Sequence, residues 1–169
     1  MFESDELERT LVAAQEQDAY RQALSVIAGR DRTEQELRRR LSSRKFPQPI
    51  IATVLDRLRE KGLINDRRYA REYVRTQSAR RGLGPAALRA KLVQLGMASS
   101  IVDEALAQEL PEEEQESIAK AMARKRLLRL RRSGSEDVRT RLYPFILRRG
   151  FGHDIAARAV DSVLGEDED

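Results

Sequence analysis

Residues 62–95, GLINDRRYAREYVRTQSARRGLGPAALRAKLVQL, contain a helix start, a helix body, a stop and a restart. Asn65 and Asp66 carry short side-chain oxygens that can accept the orphan N–H groups of a first helical turn, with Asp66 the expected cap. After them, Tyr69, Ala70, Tyr73 and Val74 recur at helical spacing and make one face apolar. Arg67, Arg71, Arg75 and Ser78 descend the other face at steps of four, four and three. Gly82-Leu83-Gly84-Pro85 then ends this helix and opens a shorter one, which carries Leu88 and Leu92.

The same plan recurs on either side. Upstream, Ala19, Tyr20, Ala23, Leu24, Ile27 and Ala28 keep helical spacing until Gly29. Thr33-Glu34-Gln35-Glu36 is a capping box, and the helix it opens turns Leu37 and Leu41 inward. Pro47 and Pro49 suit the first turn of a third helix through Ile50, Ile51, Val54, Leu55 and Leu58. Downstream, Gly96 precedes a helix with Ile101, Val102, Ala105 and Leu106. Pro111 and Glu112-Glu113-Glu114 open another, acids being favoured at a helix N-terminus. Ser133-Gly134-Ser135 is a break from which Ser135 can cap a helix ahead of Glu136 and Asp137. Pro144 should kink that helix or shift its start.

Aligned at offsets of 51 and then 54 residues, Leu37, Leu88 and Leu142 coincide, as do Leu41, Leu92 and Ile146. So do Phe46, Met97 and Phe151, and Ile50, Ile101 and Ile155, with Lys45, Gly96 and Gly150 together just before the large apolar residue. Such self-similarity predicts an all-α fold, an elongated array of three tandem three-helix repeats. The expected divisions are residues 17–66, 67–110 and 111–164. An acidic N-terminal arm or extra helix (1–16, through Leu7, Leu11 and Val12) precedes them, and an acidic disordered tail (165–169) comes after.

Composition agrees. The chain has 169 residues, 40 % hydrophobic and 36 % charged, with 5 % aromatic and no Trp, which disfavours a core of large rings. Without Cys there are no disulfides or thiolate sites, and one histidine, His153, cannot build a histidine metal site or supply much acid–base chemistry. Gly82 and Gly84 form a GxG with no Lys-Ser/Thr after it and no strand before it, so a nucleotide loop is not indicated. The carboxylates at 112–116 point around their helix and do not converge. No catalytic, metal or cofactor site is expected, and the chain is not expected to be an enzyme. With no apolar run of membrane-spanning length and an acidic N-terminus, a soluble cytoplasmic protein, monomeric and without a membrane partner, is expected.

The net charge of +4 averages over an acidic start and a basic middle. Between Arg67 and Val102, Glu72 is the only acid against eight bases. A solvated helix face would interleave acids at i+4, so unpaired guanidiniums here suggest an anionic partner, which arginine binds bidentately. Ile118 to Arg132 adds seven bases without an acid. The candidate contacts are Arg38, Arg39, Arg67, Arg68, Arg71, Arg75, Arg80, Arg81, Arg124, Lys125, Arg129, Arg132, Arg148 and Arg149. Tyr20, Tyr69 and Tyr73 read as core.

Three motifs carry a family likeness. Thr33-Glu34-Gln35-Glu36-Leu37-Arg38-Arg39-Arg40-Leu41 is similar to the first-repeat signature of RecX proteins. Gly62-Leu63-Ile64-Asn65-Asp66-Arg67-Arg68-Tyr69-Ala70 resembles their junction into the second repeat. Gly82-Leu83-Gly84-Pro85 with Leu88, Leu92, Gly96 and Met97 resembles the body of that second repeat. In the third repeat the likeness thins to Arg148-Arg149-Gly150-Phe151 and Asp154-Ile155. The resemblance implies three tandem three-helix repeats. It also implies a modulator that lies in the groove of the RecA–single-stranded DNA filament and inhibits its growth, ATP hydrolysis, strand exchange and co-protease activity. The partners it implies are RecA and single-stranded DNA, with double-stranded DNA a further one. The charges alone leave two other readings open: a general nucleic-acid-binding protein acting without RecA, and an adaptor for an acidic protein.

Overall fold

The Thr33 hydroxyl accepts the Glu36 N–H at 3.1 Å while the Glu36 carboxylate accepts the Thr33 N–H at 3.1 Å, so the capping box forms as its sequence predicts. It starts α2 (Glu34–Ser43), between α1 (Phe2–Ile27) and α3 (Gln48–Glu60). The chain continues through α4 (Asp66–Arg81), α5 (Pro85–Gln94), α6 (Ser99–Glu109), α7 (Glu112–Arg132), α8 (Val138–Arg148) and α9 (His153–Gly165). The structure, a computed structural model, describes residues 2–134 and 137–166, with side chains from residue 5 onward. Among the described residues there is no strand.

Packing gathers these helices into two compact units. The first runs to Tyr69 and includes Leu95–Met97; the second holds Ala70–Gln94 and the residues from Ala98 onward. In the first, Ala19, Tyr20 and Ala23 of α1 meet Leu37 and Leu41 of α2, and the buried face of α3 closes the core. The Arg57 guanidinium lies 4.2 Å over the Tyr20 ring, so this core tyrosine also stacks a cation. In the second, Ala119, Ala123, Leu127 and Leu130 of α7 pack with Leu142 and Ile146 of α8 and the inner face of α9. The inner face of α4 is Ala70, Val74 and Ser78.

Several expectations need correction. Asn65, not Asp66, caps α4, its side-chain oxygen accepting the Arg68 N–H at 2.9 Å. Asp66 Oδ1 instead accepts the Glu34 N–H at 2.9 Å and so caps α2 from a distance. Burial holds the Asp66 carboxyl above its usual range, and that N–H offsets the rise only in part. Ser78 is 3 % exposed and belongs to the core face, because steps of four from Ala70 outrank the step of three from Arg75. Tyr69 and Tyr73 are half-buried rather than core, and Phe46 and Ile101, which align with buried residues, are half-buried too.

The N-terminal segment is helical as part of α1, yet Leu7, Leu11 and Val12 are 71 %, 61 % and 45 % exposed. Ser135 and Glu136 lie outside the described residues; Asp137 occupies the N-cap position of α8, and Pro144 sits inside that helix. Gly165 is helical and Glu166 pairs with Arg124, so the tail expected from 165 is ordered to 166; residues 167–169 lie outside the described set.

The repeat is recorded in the backbone. Lys45, Gly96 and Gly150, aligned by sequence alone, all have positive φ, at 65°, 85° and 90°. Glycine occupies this left-handed conformation freely, whereas a side chain costs about 1–2 kcal/mol there. Lys45→Gly should therefore stabilise the first unit by about 0.5–1 kcal/mol, after the extra entropy that glycine loses on folding. A higher urea midpoint checks this; an unchanged or lower one contradicts it.

At the same offsets, Thr33 corresponds to Gly84, and Leu95-Gly96 to Arg149-Gly150. The Thr33 hydroxyl donates to the Leu95 carbonyl at 3.1 Å. In the second unit the Gly84 N–H donates to the Arg149 carbonyl at 2.7 Å, and the Ala86 N–H to the Gly150 carbonyl at 3.0 Å. The start of a second helix thus holds the left-handed turn one repeat further on, twice and by different chemistry.

Candidate nucleic-acid interface

The arginine row of α4 is not a row of free charges. Arg71 Nε lies 3.5 Å from Glu109 Oε1 at the end of α6, and Arg75 pairs with Glu72. Arg67 also has an interaction partner. The acids missing at i+4 are supplied in part from another helix, which local spacing does not reveal. Arg68, Arg80 and Arg81 are exposed, and their side chains meet no carboxylate among the described residues. Arg80 and Arg81 occupy the last turn, where cations offset the helix dipole.

On α7 the basic block separates into two sets. Lys120 pairs with Glu116 at 2.9 Å, Arg124 pairs with Glu166, and the Arg126 guanidinium lies 5.5 Å over Phe145. The hydrogen bond from Lys120, with help from Arg158, holds the Glu116 carboxyl below its usual range; Arg124 does the same for Glu166. Lys125, Arg129 and Arg132 stand at i, i+4 and i+7, exposed and without a carboxylate among the described residues. Leu128, 55 % exposed, lies beside them. Of the two last candidates, Arg149 is half-buried, stacks 5.2 Å over Phe145 and donates to the Arg81 carbonyl, so it is committed to the fold. Arg148 is exposed at the end of α8.

On α2, Arg38 pairs with Glu34 at 3.2 Å, and Glu34 also receives Arg59 at 2.8 Å. The hydrogen bonds to Glu34 and then Asp56 push the Arg59 guanidinium above its ordinary value. Arg39 has no such partner. It shares a groove of about 630 Å³, between the end of α1 and α2, with Arg32, Arg40 and Arg44. Sequence reasoning does not single out Arg32 and Arg44, since only the packing of α1 on α2 gives this cluster its opposite wall.

The side chains gathered on these faces are cationic. Among the described residues no group of three or more His, Asp or Glu side chains is placed to hold a metal ion. His153 Nδ1 and Tyr143 Oη share a hydrogen bond of 2.8 Å at the exposed start of α9. No helix among the described residues is long and apolar enough to cross a membrane.

Residues 19–58 match the family profile described as "RecX, first three-helix domain", and residues 65–106 match "RecX, second three-helix domain". A protein of Mycolicibacterium smegmatis named regulatory protein RecX is 32 % identical over 158 residues, covering 91 % of this chain and 84 % of the relative. The regulatory protein RecX of Geobacillus kaustophilus is 34 % identical over 155 residues, covering 91 % of this chain. Only 57 % of that longer relative is spanned, and 63 % of the Bacillus cytotoxicus one. A crystal structure of regulatory protein RecX superposes with a TM-score of 0.81 at 28 % identity, covering 94 % of this chain and 77 % of that one.

Proposed function

The chain belongs to the RecX family, and from that premise we propose that it binds the RecA–single-stranded DNA filament and restrains its assembly, ATP hydrolysis, strand exchange and co-protease activity. It acts without catalysis, as a helical clamp whose cations lie against DNA phosphates. The observation that carries this reading is the stripe Lys125, Arg129 and Arg132, three exposed charges on one face of α7 with no acid among the described residues to neutralise them. Arg68, Arg80, Arg81 and Arg148 are further candidates; Arg71, Arg75 and Arg124 take part only by leaving their carboxylates. The proposed repeat units are 17–66, 67–110 and 111–164.

Phosphate contacts are sequence-independent and salt-sensitive, each adding about 0.7 to the logarithmic salt slope on a single strand. The test is RecA ATP hydrolysis and strand exchange on single-stranded DNA, titrated with the chain. The wild type should inhibit both. Combined Lys125→Ala, Arg129→Ala and Arg132→Ala should need about tenfold more protein for the same effect and should lower the salt slope by about 2. A wild-type chain that leaves RecA untouched at saturation sinks the reading. Equal inhibition of unrelated DNA-dependent enzymes would favour a general nucleic-acid-binding protein instead.

A further inference from the structure

We propose that the groove between the end of α1 and α2 in the first unit is a binding site for the phosphodiester backbone of single-stranded nucleic acid. The site deepens the function proposed above and rests on it. On α2, Glu36, Arg40 and Ser43 recur at i, i+4 and i+7, so one face turns toward the groove, with Arg39 and Arg44 at its margins. The opposite wall comes from Ser25 and Val26 at the end of α1, while Gly29 and Arg32 contribute from the connecting loop.

Four guanidiniums share this concavity with one carboxylate. That carboxylate is already committed, since Glu36 accepts the Thr33 N–H at 3.1 Å and meets Arg30 at 3.0 Å and Arg32 at 3.4 Å. Arg39, Arg40 and Arg44 meet no carboxylate among the described residues, and the buried Arg32 Nε has no acceptor.

An ordinary explanation exists for part of the set. Arg40 and Arg44 sit at the C-terminal end of α2, where a cation offsets the helix dipole. That dipole, and the one ending α1, each amount to about half a negative charge. Subtracting both, and Glu36, from four guanidiniums still leaves a surplus of roughly +2. Glu36 accounts for Arg32, but dipole compensation gives no reason for Arg39 to join the same concavity. A concave site walled by low-dielectric atoms focuses such a field.

Guanidiniums match the paired oxygens of a phosphate ester. Two sources offer that chemistry, a nucleic-acid backbone and a nucleoside triphosphate. The groove is open rather than enclosed, which suits a strand that runs on past both ends. We therefore assign it to the strand.

The test is fluorescence anisotropy of a labelled oligothymidylate with the 169-residue chain, across a series of salt concentrations. Arg39→Gln, Arg40→Gln and Arg44→Gln combined should lower affinity about tenfold at low salt and reduce the salt slope by about 2. The matching triple Lys variant should recover the salt slope, because it keeps the charge, and only part of the affinity, because it loses the paired donors of the guanidinium. An unchanged affinity and slope in the Gln variant overturns the site, provided its thermal unfolding matches the wild type. A salt slope that the Lys variant does not recover overturns it as well. So does displacement of the oligonucleotide by equimolar ATP, which would make the groove a nucleotide pocket.

The RecA assay separates the two proposals. Wild-type inhibition of RecA together with undiminished oligonucleotide binding by the Gln variant removes the groove and leaves the function. Lost oligonucleotide binding by the Gln variant, alongside a wild type that does not inhibit RecA, removes the function and leaves the groove.

Discussion

Gly84→Ala is expected to destabilise the second unit by about 3 kcal/mol, through a contact rather than through backbone conformation. A methyl group on Gly84 would stand 2.5 Å from the Gly150 carbonyl carbon and 2.6 Å from both the Gly150 oxygen and the Phe151 nitrogen. All three are backbone atoms and cannot rotate aside. Relief requires the start of α5 to move off the turn, and that breaks the 2.7 Å and 3.0 Å hydrogen bonds from Gly84 and Ala86. Two such bonds are worth about 1–3 kcal/mol together, before counting the apolar contacts that loosen with them. Gly84 has no positive φ, so strain of the kind found at Lys45 plays no part. Gly29→Ala supplies the contrast, since nothing lies within 4 Å of its added methyl; it should change stability by no more than about 1 kcal/mol. Urea unfolding monitored by circular dichroism reads both. A Gly84→Ala midpoint equal to that of the wild type would mean that the close approach is not what holds this junction.

The fold is legible in the sequence wherever the signal is local or periodic. Thr33 and Glu36 sit three residues apart and find each other as expected, and Leu37, Leu41, Leu88, Leu92, Leu142 and Ile146 are all fully buried. The alignment places Lys45 with two glycines without any knowledge of its dihedral, and its φ of 65° has the same sign as theirs. What stays hidden depends on partners far along the chain. Asp66 looks like a cap for its own helix, yet its carboxylate serves Glu34. Arg71 looks unpaired until α6 brings Glu109 to it. Counting from the arginines puts Ser78 on the outer face, whereas counting from Ala70 and Val74 gives its true one.

The candidate site is legible as charge and illegible as geometry. Composition identifies the basic block of α7 but does not separate Lys125, Arg129 and Arg132 from Lys120 and Arg124, which are neutralised by Glu116 and Glu166. The sorting needs positions, because an exposed arginine beside a carboxylate and one without it are identical in sequence. The groove of the first unit is the extreme case. Arg39, Arg40 and Arg44 lie close together on α2 and its C-cap, but the wall that makes them a groove exists only after α1 packs on α2.

The other junction predicts the opposite kind of sensitivity. Thr33→Val keeps the shape of the side chain and removes its hydroxyl, and should cost the first unit about 2–3 kcal/mol. Thr33 is fully buried, and its hydroxyl works in two directions, accepting the Glu36 N–H and donating to the Leu95 carbonyl, each at 3.1 Å. Valine leaves both of those groups without the partner they have now, and an unsatisfied buried group costs about 1–3 kcal/mol. Thr33→Ser keeps both bonds and gives up one methyl group, so its loss should be near 1 kcal/mol. At Gly84 the equivalent turn is held by main-chain N–H groups at a separation that admits no side chain; at Thr33 a side chain is what holds it. Junction for junction, then, one site rejects any added atom and the other depends on a single oxygen. Amide hydrogen exchange at Glu36 gives the local check, since it should accelerate in the Val variant and not in the Ser variant. Equal stability of the two variants would show that the turn at Leu95 is held by packing rather than by the Thr33 hydroxyl.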